Sequence, residues 1–481
     1  MRKLLLATAA IMGATGGLAF AQAPSQGMTA QPWASGPGAN NNNNSLGKAE
    51  PGANAVPTPG TVVIRLNGRV EADVGAVFTT ADRSVAAGFK VNPIGVGSYM
   101  RLYPGVDGMA ANGMRYGAAI ELRQNFMGGN SLSSGVPGVT AASPSGNSSA
   151  QTVFVRRAFT YVGTDQLGIL RIGTGDGVIG LFDGGVFTTQ TWDAGIGNFN
   201  GGANQSLSPG NGVGVPFVWL SQAGAEYDNA KIVYLTPQFF GFDFGFQYAP
   251  SMGNRFSDSS TGSPYQAAVC STAGANCIST TTGTDATRWF NQIAVGARYQ
   301  GSFSGVDVKA MAVYETAGKE SFSGTYNTPS PGDASTVPAT YRYDNLSFAT
   351  AAAALSYKGI TVAADYIGGS VNGQLAMRPT GGAPTNAVVT GITYANGPFI
   401  LGAEVGIVDT QGDARMTKVT QRHETEIAFG GTYKAAPGLA FVGEFMHAER
   451  HQGGFDFVAG APGTTRDVKS NSLVFATIVT W

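Results

Sequence analysis

Leu473-Val474-Phe475-Ala476-Thr477-Ile478-Val479-Thr480-Trp481 closes the chain, and the reading of this stretch decides the fold. The last residues of a soluble domain are ordinarily frayed and polar. These are apolar, β-branched and tipped by an aromatic. The segment reads as a strand that must pair on both sides, because an open edge in hydrocarbon leaves backbone groups unsatisfied at a cost of several kcal/mol each. Its simplest partner is the first strand. A closed antiparallel barrel in a bacterial outer membrane is therefore expected, with Phe475 and Trp481 at the seam.

The other end supports export. Arg2 and Lys3 precede an apolar run over residues 4–13, and Ala19-Phe20-Ala21 supplies a small-x-small site. Positive charge, short hydrophobic core and cleavage site are the three parts of a secretory signal. Residues 1–21 are assigned to it, with cleavage after Ala21 and Ala23 as the rival site. A buried N-terminal helix would not call for this order of features. Without Arg2 and Lys3 the chain keeps 27 basic against 30 acidic residues, a formal charge of −3. No concentrated basic face points to nucleic acid.

Charged residues make up 12% of the chain, about half the share of a soluble domain. Yet no run of about 20 apolar residues follows the signal, which excludes helical spans. Low charge without long apolar runs is what a transmembrane barrel produces, since alternation hides its apolar face from any sliding window.

Residues 22–60, rich in Pro, Gly and Asn, cannot bury enough apolar area to offset their ordering entropy and are expected to be a flexible segment. From residue 61 to 481 the texture is that of a barrel. Ile64, Leu66, Val70, Ala72 and Val74 take one side of the first strand; Arg65, Asn67, Arg69, Glu71 and Asp73 take the other. Tyr116, Ile120, Leu122 and Phe126 oppose Arg115, Glu121, Arg123 and Asn125. Phe240, Phe242, Phe244, Phe246 and Tyr248 oppose Asp243 and Gln247, and Val306, Val308, Ala310, Ala312 and Tyr314 oppose Asp307, Lys309 and Glu315.

The strands expected are 62–79, 110–126, 151–163, 166–174, 215–223, 226–236, 239–249, 288–300, 304–316, 342–358, 360–370, 386–396, 398–410, 418–433, 438–450 and 470–481. That makes about sixteen, with eighteen as the alternative count. Tight turns fall at Asp165, Gly359 and Asn396-Gly397. Segments 127–150, 251–286 and 317–340 are long and polar, as unequal rims require. Gly68, Gly117, Gly163, Gly173, Gly245 and Gly296 fall within or at the ends of strands and would ease the curvature of a closing sheet.

Arg65, Arg69, Arg115, Arg123 and Arg171 project toward the lumen, since a guanidinium stays charged and cannot face lipid cheaply; Arg156 has no clear facing. After Gly173 a glycine-rich path runs to about Gly214 and suits a long loop folded into the barrel. Asp176, Asp183 and Asp193 would then oppose the arginines across a narrow hydrated gap and create a transverse field. The plainer alternative is that the arginines merely pair with Glu71, Asp73 and Glu121. Gly173-Thr174-Gly175-Asp176-Gly177 lacks the spacing and the Lys-Ser/Thr of a phosphate loop.

Cys270 and Cys277 could close a small disulfide in an exported loop. No metal site, no catalytic residue and no cofactor are expected: the three histidines, His423, His447 and His451, lie far from both cysteines, and no Gly-x-Ser-x-Gly elbow is present.

These motifs resemble the general porins of Gram-negative bacteria, particularly the alphaproteobacterial type. The resemblance rests on Val63-Ile64-Arg65-Leu66-Asn67-Gly68-Arg69-Val70-Glu71-Ala72, on the hairpin Arg156-Arg157-Ala158-Phe159-Thr160-Tyr161-Val162-Gly163 to Gly168-Ile169-Leu170-Arg171-Ile172-Gly173, and on the strand ending in Trp481. It covers residues 61–481. It implies an inward-folded third loop over residues 176–214, a homotrimer, and a terminal aromatic that serves barrel-insertion machinery. Two departures stand out: Thr174 replaces the usual Arg after the hairpin, and Trp481 replaces the more common Phe. The resulting expectation is a passive, water-filled channel for ions and small hydrophilic solutes, surrounded by outer-membrane lipid, with weak cation preference. The rivals are an envelope-anchoring barrel without conductance and a sugar-selective channel, for which Trp192, Trp219 and Trp289 are too scattered to form a ladder.

Overall fold

The computed structural model describes residues 57–80, 93–124, 153–183, 230–251, 289–319, 344–372, 377–378, 380–412, 421–457 and 461–481. Its strands run β1 (Thr61–Thr79), β2 (Ile94–Met109), β3 (Arg115–Gln124), β4 (Phe154–Thr164), β5 (Gly168–Thr174) and β6 (Ala230–Leu235). Then follow β7 (Phe242–Ser251), β8 (Trp289–Phe303), β9 (Val306–Lys319), β10 (Leu346–Tyr357) and β11 (Ile360–Ser370). The chain continues with β12 (Thr385–Asn396), β13 (Phe399–Thr410), β14 (Arg422–Ala436), β15 (Leu439–His451), the short pair β16 (Phe455–Asp456) and β17 (Ala461–Pro462), and β18 (Val468–Thr480). One short helix, α1 (Val178–Asp183), follows β5.

Sixteen strands close an antiparallel ring, and β16 and β17 pair with each other outside it. The seam is where the closing stretch predicts it. β18 pairs with β1 from Arg69↔Thr480 to Thr79↔Ser470, and with β15 from Leu439↔Val479 to Arg450↔Val468. Trp481 extends the seam by exchanging backbone hydrogen bonds with Gly68 at 3.0 and 3.2 Å. Its indole covers Gly68 so closely that an added Cβ there would overlap the ring.

Alternation holds along the wall. Ile64, Leu66, Val70 and Val74 are exposed on the outer surface while Arg65, Asn67, Arg69, Glu71 and Asp73 are buried inside. Phe242, Phe244, Phe246 and Tyr248 face out, and Asp243 and Gln247 face in. Outward aromatics gather beside the short turns, including Tyr357, Tyr394, Phe399, Tyr433, Phe441 and Trp481. Phe399 and Tyr433 stack at 4.8 Å between centroids. A second set, Phe78, Tyr248, Tyr314 and Tyr366, lies toward the opposite rim. These are the two girdles of a membrane barrel.

Every short connection lies on one rim: residues 110–114, 165–167, 236–241, 304–305, 358–359, 397–398 and 437–438. Every long one lies on the other. Ser304-Gly305 and Lys358-Gly359 have positive φ at both positions, as two-residue hairpins with the right twist require. The turn expected at Asn396-Gly397 is instead Gly397-Pro398, since Asn396 still pairs with Phe399.

Two strand assignments are corrected. Residues 94–109 form β2, which the sequence reading left out, and residues 110–114 belong to a turn rather than to the following strand. Pro104 and the four glycines 95, 97, 105 and 108 erase the alternation of β2. The expected strand 215–223 lies outside the described residues, and the ring closes without it because β5 pairs directly with β6. The inward-folded connection accordingly follows the fifth strand, not the fourth, and remains the third long one.

Candidate functional site

The inner face of β1–β5 is an arginine wall. Arg69 is fully buried and forms an ion pair with Glu71; Arg65 pairs with Asp107 of β2, which also accepts a hydrogen bond from the Tyr161 hydroxyl. Register sets Arg69 opposite Arg101, and Arg101 opposite Arg123, a row of three cationic positions on neighbouring strands. Like charges placed directly across a sheet repel, and the wall offsets this with Glu71, Asp107 and Glu121. The Arg123 and Arg156 side chains lie outside what is described. Arg157 reaches Glu121 at 3.2 Å and Asp176 at 3.1 Å, and the Arg171 guanidinium stacks 3.9 Å above the Phe159 ring.

Asp176 therefore sits on the arginine wall, not across a gap from it. It is two residues beyond the end of β5 at Thr174, and that much chain cannot cross the lumen. Lys231 of β6 fixes the same start by donating to the Gly175 carbonyl at 2.7 Å. Asp183 is the last residue of α1, and its side chain is not described; Asp193, Cys270 and Cys277 lie outside the described residues. Arg115 stands apart from the cluster, paired with Asp165 in the β4–β5 turn at 3.3 Å.

Beyond Asp176, α1 runs along the inside of the wall. Val178, Ile179, Leu181 and Phe182 are all buried, and the helix rests on the inner face of β7–β9. Its Val178 N–H donates to Gln247 Oε1 at 2.8 Å. Arg298, held by Asp243 at 2.6 and 3.1 Å, lies 4.9 Å over the Phe182 ring and donates to the Leu181 carbonyl at 3.4 Å.

In a ring of sixteen, strands eight places apart face each other. β9 thus faces β1, β11 faces β3 and β13 faces β5. The inward residues there include Glu315, Asp365 and Glu404, flanked by Glu426 of β14 and Glu444 of β15, all buried. Gln292 donates to Glu315, Thr350 to Asp365 at 3.2 Å, and Arg450 pairs with Glu424 at 2.7 Å. Among the described residues, seven buried cations stand against twelve buried carboxyl groups, so acids outnumber bases at the buried inward positions. The three histidines occupy β14 and β15 at the long-connection rim and pair with Asp409, Glu449 and Asp467 at 2.6–3.0 Å. Among the described residues, no group of three side chains is arranged to hold a metal.

A closed barrel with an apolar exterior, a charged interior and an inserted connection is now in place. The family model for Gram-negative porins matches residues 7–453. This chain belongs to that family. The porin matches no curated protein by sequence. Among solved structures it is similar to OmpT, an outer membrane protein of Vibrio cholerae, at 11% identity over 87% of this chain and 98% of that one, with a TM-score of 0.49. It is also similar to an anion-selective porin from Comamonas acidovorans, at 13% identity over 87% of this chain and 100% of that one, TM-score 0.47. A variant of the Rh. blastica porin matches at 12% identity over 87% and 100% of the two chains, TM-score 0.44. Membership rests on the family model. It places the porin in the outer membrane, in contact with lipid, and makes it no enzyme. The short rim then faces the periplasm and the long rim the exterior.

Several of the porin's inward charges escaped the sequence reading. Arg157 gave no signal, because the inward Phe159 and Tyr161 share its parity while the outward places carry the smaller Ala158, Thr160 and Val162. Arg101 and Asp107 went with the unread β2. Glu404, Glu426 and Glu444 alternate with Val405, Ile427 and Phe445, a legible pattern in strands whose other inward positions are mostly small.

Proposed function

We propose that this porin is a passive, water-filled diffusion channel for ions and small hydrophilic solutes. Its neck lies where the arginine wall and the start of the third long connection meet the far carboxylate wall. The observation that carries this reading is the uneven distribution of buried charge: arginines matched by acids on β1–β5, a predominance of carboxylates on β9–β15, and lipid-compatible residues outside. Opposed walls order water and polar solutes without closing the path. The arginines nearest the neck are Arg65, Arg69, Arg123 and Arg171, joined by Arg101 and Arg157. Arg115 contributes at the periplasmic mouth, and Asp176 trims the positive field locally.

The carboxylate excess supports weak cation preference. Purified porin in planar bilayers should give discrete conductance steps and a reversal potential of cationic sign in a salt gradient. No steps under several refolding conditions would favour an envelope-anchoring barrel. A clear anionic reversal potential would show that the arginine wall dominates. Export through residues 1–21, assembly as a homotrimer, recognition of Trp481 by insertion machinery and a Cys270–Cys277 disulfide belong to the same proposal. Mass analysis of the intact and cross-linked protein reads the cleavage site, the disulfide and the copy number.

A further inference from the structure

Gly245 of β7 and Gly296 of β8 are directly opposite each other in register, and both face the lumen. The three atoms nearest a Cβ built on Gly245 all belong to α1: Val178 Cγ1 at 2.8 Å, Phe182 Cζ at 3.0 Å and Val178 Cγ2 at 3.1 Å. On Gly296 it would meet the wall at Val313 Cγ2, 2.6 Å, and the Ala312 carbonyl, 3.0 Å, and α1 at Val178 Cγ1, 3.1 Å. The pair is thus a two-glycine gap in the wall that receives the first turn of the helix. Polar groups frame it on both sides. Gln247, steadied by Gln292 at 3.1 Å, accepts the Val178 N–H, and Arg298, gripped by Asp243, covers Phe182. Curvature alone would not place two glycines opposite one another beneath a helix packed on the inner face of the wall.

We propose that the Gly245–Gly296 seat, closed by Gln247 and Arg298, is the positioning device that fixes how far the third long connection stands out from the wall. It thereby sets the free cross-section of the channel. The size-limit role rests on the diffusion-channel reading; the seating of α1 does not. Contacts under about 3 Å to a Cβ are essentially forbidden in a close-packed interior. Gly245→Ala must therefore move α1 inward, away from β7. Val178→Ala removes both methyl groups that the new Cβ would strike. Gln247→Ala acts differently, since it leaves the helix its space but removes the acceptor that holds it.

The test compares single-channel conductance for wild type, Gly245→Ala, Gly245→Ala with Val178→Ala, and Gln247→Ala, each first shown to assemble. Lower conductance in Gly245→Ala, recovery in the double variant, and larger, noisier steps in Gln247→Ala are expected. Equal conductance in all four overturns the proposal. A second measurement needs no current. Val178→Cys with Gly245→Cys, in a Cys270→Ser/Cys277→Ser background, should form a disulfide on oxidation, because the Cβ positions lie within disulfide reach. No cross-link in the folded barrel also overturns the seat. If the cross-link forms but wild type does not conduct, the channel reading fails, the size-limit role falls with it, and the seat itself stands.

Discussion

The two walls of the lumen solve the problem of interior charge in opposite ways. On β1–β5 ion pairs tie arginines to acids: Arg69 to Glu71, Arg65 to Asp107, Arg157 to both Glu121 and Asp176. Five buried arginines there, at positions 65, 69, 101, 157 and 171, meet five buried acids, at 71, 73, 107, 121 and 176. Among these buried residues the wall is dense, large-chained and formally balanced. On β9–β15 the acids are spaced among small residues. Glu404 lies opposite Gly391 and Ala428, Glu426 opposite Gly406 and Ala448, Glu444 opposite Gly430 and Val474. One wall orders structure with charge, whereas the other presents charge. Selectivity should accordingly follow the sparse wall, and stability the dense one.

The largest effect should come from separating the walls. β18 is the strand that joins β1 to β15, so deleting residues 475–481 removes half of both ladders at the seam. The barrel edges then carry unsatisfied backbone groups in hydrocarbon. Outer-membrane yield should fall to background, with exported chain degraded in the periplasm. Normal yield would mean that closure does not need this strand.

Next comes the dense wall. Arg157→Ala leaves Glu121 and Asp176 buried without their shared cation, a loss of about 3–5 kcal/mol for a broken buried pair. The measurement is the urea or heat midpoint of the folded barrel. Arg157→Ala together with Glu121→Gln and Asp176→Asn should recover most of it. If Arg157→Ala is as stable as wild type, the arginine wall is not held by these pairs.

A smaller effect is expected at the seam's surface. Trp481→Ala uncovers Gly68 but leaves the two backbone hydrogen bonds in place. Loss of part of an interfacial aromatic contact is worth about 1–2 kcal/mol. Assembly should slow and yield drop, while barrels that do insert conduct normally. Altered conductance per channel would show that Trp481 reaches beyond the outer surface.

How much of this was legible in the sequence depends on side-chain size. β1 and β7 announced themselves because Ile64, Leu66, Phe244 and Phe246 alternate with charged or polar partners. β2 was lost because four of its inward or outward places are glycine and one is Pro104. Arg157 was obscured by Arg156, since adjacent residues cannot both face in along a regular strand. The ladder is in fact irregular there, with Glu121 paired to Arg157 and Leu122 to Val155. The placement of Asp176 on the arginine wall depends on where β5 ends, and strand ends are the least determined feature of any pattern. Gly245 and Gly296 were visible as glycines, but their purpose needs the register that sets them face to face.

The smallest stability effect and the sharpest test of the comparison are the same experiment. Glu404→Gln, Glu426→Gln and Glu444→Gln each keep the side-chain shape and remove a formal charge from the sparse wall. Their cross-strand neighbours are Gly, Ala and Val, so no buried arginine pairing of the dense wall is broken, and the folded barrel should stay within about 1 kcal/mol of wild type. The field should change instead. In a tenfold salt gradient a perfectly selective pore gives ~59 mV for a monovalent ion. From a weakly cationic start, the triple variant should move by ~10 mV toward the anionic side. The matched control is Arg157→Gln with Glu121→Gln, which removes one charge of each sign from the dense wall and should leave the reversal potential nearly unmoved. If the control shifts selectivity and the triple variant does not, the functional roles of the two walls are the reverse of those assigned. If both shift it equally, total lumen charge does not set selectivity, because the control leaves that total unchanged, and the division of roles between the two walls fails.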